Sequence, residues 1–484
     1  MTQLEKGIMM NDITLKSIEE ISELIEKREL SPVDLTDACF SRIEKHNREL
    51  NACVYLAEEQ ARLSAKVAEE EICSGHYRGK LHGIPIALKD LYFTKDMPTT
   101  ACSRVLKDFV PDFNGTVVQR LIDAGVIIMG KTNTTEFAFG PTNEESYFGP
   151  ARNPWNPKKI SGGSSGGSAV AVASGMSFVG MGSDSGGSIR IPAAMCGVVG
   201  FKPSIGLVST YGIIPMSPTM DHSGPLCRSV ADVAITLDTI TGTDEKDPCP
   251  YAIKGSPTNI YNSIKNKKDL SGKVFGIPKT FFFDKTDYEA ERVFYEAIDR
   301  IKALGGEVRE VTVPFIDFIT EGSTNIMFKE AADSHRRWYP SKKELYQKDI
   351  PPRIEIGLAV TEEEYITSRK YREQIIAGWD TLMKELDAVL VPTCPIEPFD
   401  IGLGSPWSIT TRGRVEDGKP MATYHTRLAN VTGAPALSVP AGLTKNNLPI
   451  GLMIMGARGD DLGVLEIGLA YERSYKYPIP QLNL

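Results

Sequence analysis

The sequence predicts an α/β fold, a single large domain in which helices cover both faces of a twisted mixed β-sheet and extra helices precede it at the N-terminal end. Three observations predict it. Short apolar runs of strand type alternate with helical periodicity, first after Gly83 and again after Glu363. The 484 residues are 41% hydrophobic and 24% charged, which supplies a deep core and excludes a disordered chain. No internal repeat of about 20 to 50 residues is present, which excludes solenoids and propellers.

In order along the chain, Ile18, Ile21 and Ile25 follow Ser17, and Glu20 completes a capping box, so a helix starts there. Ser31-Pro32-Val33-Asp34 places a capping hydroxyl, a first-turn proline and an acid, which predicts a helix from Pro32 to about His46. A third helix is expected from Leu56 to Cys73, and these three, within 14–75, are expected to pack outside the core. Gly83 to Leu88 reads as a strand, Thr116 to Ala124 as a helix closed by Gly125, and Val126 to Gly130 as the next strand. Later, helical periodicity over Glu363 to Leu386 leads into strands at Ala388 to Pro392, Ala436 to Pro440 and Pro449 to Gly456. A last helix spans Leu462 to Arg473. Lys265 to Lys273 reads as a solvated loop.

Charge narrows the classes of function. With 54 basic and 62 acidic residues the net charge is −8 and no basic block occurs, so the expectation is no nucleic-acid partner and no membrane surface. The eight cysteines are scattered without a C-x-x-C pair and read as reduced cytoplasmic thiols. Glu5 and Asp12 interrupt the first residues, so no secretory signal is expected. From Ile160 to Ser183, 24 residues lack charge, yet fourteen are Gly or Ser and supply too little apolar surface for a membrane span.

That stretch opens the most unusual window. Between Ile160 and Met220 only Asp184, Arg190 and Lys202 are charged, where the chain average would place about fifteen. Charge-poor sequence rich in Gly and Ser predicts buried, closely approached backbone, inside which Asp184 and Arg190 need partners. Chemistry here falls to Lys89, Ser164 and Ser188. The turn Ser185-Gly186-Gly187-Ser188 can converge backbone amides on one oxygen, which makes it an oxyanion-hole candidate with its last serine as nucleophile. None of the six histidines sits in a motif that marks it as the base. A buried lysine can serve if burial lowers its pKa by roughly 3 units.

GIPIALKD (Gly83 to Asp90), GGSSGGSAVAVASG (Gly162 to Gly175) and GSDSGGSIRIPAAMCGVVGFKPS (Gly182 to Ser204) resemble the amidase signature family of serine amidohydrolases. The resemblance is close over 81–230, including GKTNTTEFAFG (Gly130 to Gly140), and looser at NVTGAPALSVPAG (Asn430 to Gly442). It implies a Ser-cisSer-Lys triad, with Ser188 as nucleophile, Ser164 as the bridging serine after a cis peptide bond, and Lys89 as base. It also implies a supporting role for Asp184 and Arg190, a site bordered by Thr132 to Phe137, and an acyl-enzyme formed from a small-molecule amide. Neither a metal nor an organic cofactor is implied, and the partner expectation is a small-molecule amide with room for a homodimer.

Two other readings stay open. Gly162-Gly163-Ser164-Ser165-Gly166 satisfies G-x-S-x-G, which would make Ser164 an esterase nucleophile with His335 or His425 as base and His82-Gly83 in the oxyanion loop. No G-x-x-x-x-G-K-[ST] and no H-E-x-x-H occur, which disfavours a nucleotide module and a zinc hydrolase. Within the family, the chain also resembles the glutaminase subunit of tRNA-dependent amidotransferases. However, Ala422-Thr423 stands where an Asn-Asp pair with the substrate-recognising acid is typical. The acyl pocket is expected from 250–385. Phe315, Phe318, Ile319, Met327, Trp338 and Tyr339, with Tyr147 and Phe148, suggest an aryl or alkyl amide.

Overall fold

Along the strand Ala388–Pro392, Leu390 enters one hydrophobic core while Val389 and Val391 enter another, and Met453, Ile454 and Met455 alternate in the same way. Strand residues point alternately to opposite faces, so a sheet buried on both sides divides its side chains between two cores. The computed structural model, which describes residues 13–249, 259–403 and 408–482, shows this sheet as the spine of one large domain. The first residues, read above as free of a secretory signal, lie outside the described residues up to position 12, as do 250–258 of the expected pocket region.

The sheet has eleven strands in the spatial order Cys53–Leu56, Ile127–Thr132, Pro85–Lys89, Val179–Ser183, Ser223–Cys227, Val199–Lys202, Ala436–Leu443, Pro449–Met455, Ala388–Pro392, Val274–Pro278, Glu307–Val311. Pro85–Lys89 is parallel to both of its neighbours, whereas the strands from Val179–Ser183 to Ala388–Pro392 pair antiparallel. The predicted mixed sheet is therefore observed. Lys89 and Ser183 both end parallel strands, and crevices at carboxyl strand ends are where open α/β sheets hold ligands.

The N-terminal helices form as their caps dictate. Ser17 and Glu20 close a capping box on Ile18–Glu26, and Ser31 caps Pro32–Leu50. The second helix runs four residues beyond His46 and stops at Asn51, which takes a left-handed φ of 51°. Leu56 does not open the third helix. It ends the edge strand Cys53–Leu56, and the helix is Glu58–Cys73. Although these helices lie outside the sheet, Ile18, Ile21, Ile25, Leu35 and Ala65 belong to the same core as Ile86 and Leu437. None of the eight cysteines forms a disulfide among the described residues.

The charge-poor window folds as buried backbone. The helix Gly166–Ala173 is buried at every position, and so is the strand Val179–Ser183. Among the described residues no helix is long and apolar enough to cross a membrane, and no cluster of His, Cys, Asp and Glu could hold a metal ion.

Candidate active site

Lys89 ends its strand with no solvent exposure. Its Nζ lies 2.7 Å from Ser164 Oγ, 2.9 Å from Ser165 Oγ and 2.9 Å from Ser183 Oγ. Among the described residues no carboxylate comes within ion-pair distance of it. Burial pushes the Lys89 ammonium down to about 7, against a weaker upward pull from Asp184 and Asp221. The amine therefore exchanges its proton near neutral pH while three hydroxyls surround it.

Ser164 follows Gly163 through a cis peptide bond. A Cβ on Gly163 would stand 2.7 Å from the amide nitrogen of Asn143, so the close backbone approach there requires glycine. The Ser164 carbonyl accepts from the Thr135 amide at 3.2 Å, which places the segment from Thr132 to Phe137 beside the site. The next amide, Ser165 N, donates to the Ser188 carbonyl at 3.2 Å and draws the Ser188 loop alongside. Ser188 is half-buried and lines a cavity of about 520 Å³.

Asp184 shapes that loop. Its carboxylate accepts from Gly187 N at 2.7 Å, Ile189 N at 3.1 Å and Asn430 Nδ2 at 2.8 Å, and it pairs with Arg190 at 2.9 Å. Both members are fully buried, as the charge depletion predicted. Burial alone would raise the Asp184 pKa, but the Arg190 guanidinium outweighs it and holds the carboxyl well below the usual range. Arg190 also donates to the Thr426 carbonyl and to Asn430 Oδ1. Asp184→Ala strands this guanidinium without a charge partner, so urea denaturation is expected to show a loss of about 3 to 5 kcal/mol.

One amide of the predicted oxyanion hole is spoken for: Gly187 N donates to Asp184, which leaves those of Ser185, Gly186 and Ser188 without a protein acceptor among the described residues. Gly187 itself has φ +132°, and a Cβ there would lie 2.2 Å from Thr426 Oγ1. Ser185 Oγ donates to the half-buried Asp221, whose carboxylate also accepts the Met216 and Ser217 amides. Sequence reasoning missed Ser165, Ser183 and Asp221. The first two lie in or beside the motifs, yet only tertiary approach shows which serines meet the lysine.

The histidines of the G-x-S-x-G reading are engaged elsewhere. His425 contacts the Pro392 and Phe282 carbonyls through its two nitrogens, His335 contacts Tyr346 Oη, and His82 contacts the Arg78 amide and Glu71. The aromatic pocket set is also dispersed. Of Phe315, Phe318, Ile319, Met327, Trp338 and Tyr339 only Met327 lines the cavity, and Phe315, Phe318, Tyr147 and Phe148 are exposed. Ala422 is buried at a helix end, and Thr423 faces the cavity. Asp349, Arg353, Asp417, Lys419 and Arg427 bring charge to a lining that is otherwise largely apolar. No sequence motif marked them, because they come from separate segments.

The fold and the family match together define a hydrolase that acts on C–N bonds. The chain belongs to the amidase signature family: the Amidase profile matches residues 34–465. It is similar to a glutamyl-tRNA(Gln) amidotransferase subunit of Lawsonia intracellularis, at 36% identity over 98% of this chain and all of that one. The corresponding protein of Caldanaerobacter subterraneus is 34% identical, with 95% and 96% covered. A solved bacterial aryl acylamidase of the same family superposes with a TM-score of 0.86 at 28% identity, with 95% and 96% covered.

The names of these relatives overturn one expectation. A partnership limited to a small amide and at most a second copy, with nucleic acid excluded, does not hold for relatives that are subunits of an enzyme named for a tRNA. Net charge reports on a chain's own surface and is blind to what a companion protein binds.

Proposed function

We propose that this chain cleaves the carboxamide of glutamine or a close analogue and works as the ammonia-releasing subunit of an amidotransferase. The observation that carries the chemistry is the Lys89 amine, able to shed its proton near neutral pH, at 2.7 Å from Ser164 Oγ and beside the loop of Ser188. Ser188 Oγ attacks the amide carbonyl and forms the C–O bond, while its proton passes through the Ser164 hydroxyl to neutral Lys89. The amides of Ser185, Gly186 and Ser188 face the oxyanion. Lys89 returns the proton through Ser164 as the C–N bond breaks, so ammonia departs. Water then attacks the ester by the same relay and frees the acid. Asp184 and Arg190 hold the loop in shape.

The substrate and assembly rest on similarity along nearly the whole length to amidotransferase subunits and on the charged side chains that a largely apolar cavity offers to the polar end of an acyl group. One observation favours a second reading, a free-standing amidase. Where the glutaminase subunits typically carry the acid for recognition, this chain has Ala422-Thr423. Ammonia release by the purified protein from glutamine, propanamide and acetanilide separates the two. The first reading expects kcat/KM for glutamine at least about tenfold above both others, a gap of about 1.4 kcal/mol in transition-state binding. The reverse order assigns the chain to the second.

A further inference from the structure

We infer that Asp221 is a positioning residue for the reaction: it tethers the peptide between Ser185 and Gly186, which carries one of the oxyanion amides, and brings an unpaired negative charge within reach of the Lys89 amine. This rests on the reading that amides of the Ser188 loop hold the oxyanion.

The sheet register delivers the contact. Ser183 stands opposite Ser223 at the end of two antiparallel strands. The pairing continues one residue further, with Asp184 N donating to the His222 carbonyl at 2.8 Å and His222 N to the Asp184 carbonyl at 3.1 Å. The next position in register sets Asp221 beside Ser185, whose hydroxyl donates to the carboxylate at 2.5 Å. The peptides on either side are already held. The Asp184 carbonyl also accepts from Asn430 Nδ2 at 3.0 Å, and the Gly186 carbonyl accepts from Thr426 Oγ1 at 2.6 Å. Between them, the peptide joining Ser185 to Gly186 makes no hydrogen bond among the described residues. It is loosely packed as well, since a Cβ on Gly186 would meet nothing closer than Met327 at 3.7 Å. The Ser185 side chain therefore sets its orientation, and Asp221 holds that side chain.

The turn from Met216 to Asp221 has other supports. Asp221 N donates to the Ser217 carbonyl at 2.8 Å, and Glu330 accepts from Ser217 Oγ, Thr219 N and Thr219 Oγ1. What Asp221 adds is the grip on Ser185 and a charge. Among the described residues no cation pairs with it. Lys246 and His222 line the same cavity of about 340 Å³ as Asp221, and burial keeps His222 neutral. Of the other groups acting on Lys89, Asp184 is paired with Arg190, and burial keeps the Cys102 thiol uncharged. Asp221 thus favours the Lys89 ammonium without a cation to offset it.

The test is the rate at which a fluorophosphonate labels Ser188, an O–P bond forming as fluoride leaves, followed from pH 5 to 9. It needs no natural substrate, and the phosphoryl oxygen takes the oxyanion position. Ser185→Ala should lower the plateau rate roughly 10- to 100-fold and leave the pH midpoint in place, because the charge remains. Asp221→Ala should lose as much and also move the midpoint to lower pH by at least about half a unit. Asp221→Asn, whose amide can still bond the Ser185 hydroxyl, should keep more of the rate than Asp221→Ala and show the same midpoint shift. A native rate in Ser185→Ala, or a native midpoint in Asp221→Ala, overturns the proposal and leaves Ser188 as nucleophile untouched. Should Asp221→Ala not fold, Asp221→Asn supplies the midpoint and Ser185→Ala the rate. A native protein that takes no label at Ser188 loses the oxyanion site and this proposal with it. One that labels as expected but releases no ammonia from any amide loses the glutamine reading alone.

Discussion

Ser188→Ala is expected to lower kcat by about 10⁴-fold or more on whichever amide the native protein turns over best, with the melting temperature unchanged. The side chain is half-buried and lines the cavity, and its carbonyl, which the substitution retains, is what bonds Ser165 N. The loop is held by Asp184 through Gly187 N and Ile189 N, and alanine keeps the Cβ. Only the hydroxyl disappears, so a loss of this size identifies a group that bonds to the substrate. The measurement is ammonia release under saturating amide, with circular dichroism to check the fold. The G-x-S-x-G alternative expects the opposite pattern, an active Ser188→Ala and a dead Ser164→Ala.

Lys89→Ala is expected to cost roughly 10³- to 10⁴-fold in kcat/KM at pH 7, with partial recovery as rising pH lets hydroxide act as base. In the native protein the ammonium form, with a pKa of about 7, is inactive as a base. Below that value kcat/KM should therefore fall about tenfold per pH unit, and above it level off. The same ionisation governs stability. The folded pKa of Lys89 is depressed from 10.5 to about 7, so the unfolded chain binds the proton more tightly. Its burial is then most destabilising below pH 7, by on the order of 5 kcal/mol, and this cost shrinks as pH rises from 7 toward 10.5. Lys89→Met, which keeps the shape without the charge, should raise the melting temperature most at pH 6 and progressively less at pH 9. A pH-independent effect would place the proton elsewhere.

Much of this site was legible because its chemistry is local in sequence. The depletion of charge around Asp184 and Arg190 signalled burial, and both prove fully buried and paired. Strands such as Ala388–Pro392 matched their predicted bounds, because continuous apolar runs between turn residues leave few alternatives. Leu56 misled, since an apolar residue one step before a helix completes an edge strand only when a partner such as Gly130 stands beside it. The strand Glu307–Val311 is mostly exposed at the other sheet edge and lacks the apolar signal that marks central strands. The pocket was the least legible part. Arg353 is far in the chain from Lys419 and Arg427, all three are ordinary in sequence, and their meeting beside Ser188 is a product of tertiary packing.

The central claim is that Ser188 is activated by an amine which titrates near neutrality. Reaction with a fluorophosphonate tests it without knowledge of the natural substrate, because a serine O–P bond forms as fluoride leaves. The expected result is a single labelled peptide containing Ser188, and a labelling rate that climbs about tenfold per pH unit from pH 5 and levels near 7, with Lys89→Ala abolishing that step. A label on Ser164, or a Ser188 rate that stays flat from pH 5 to 9, contradicts it.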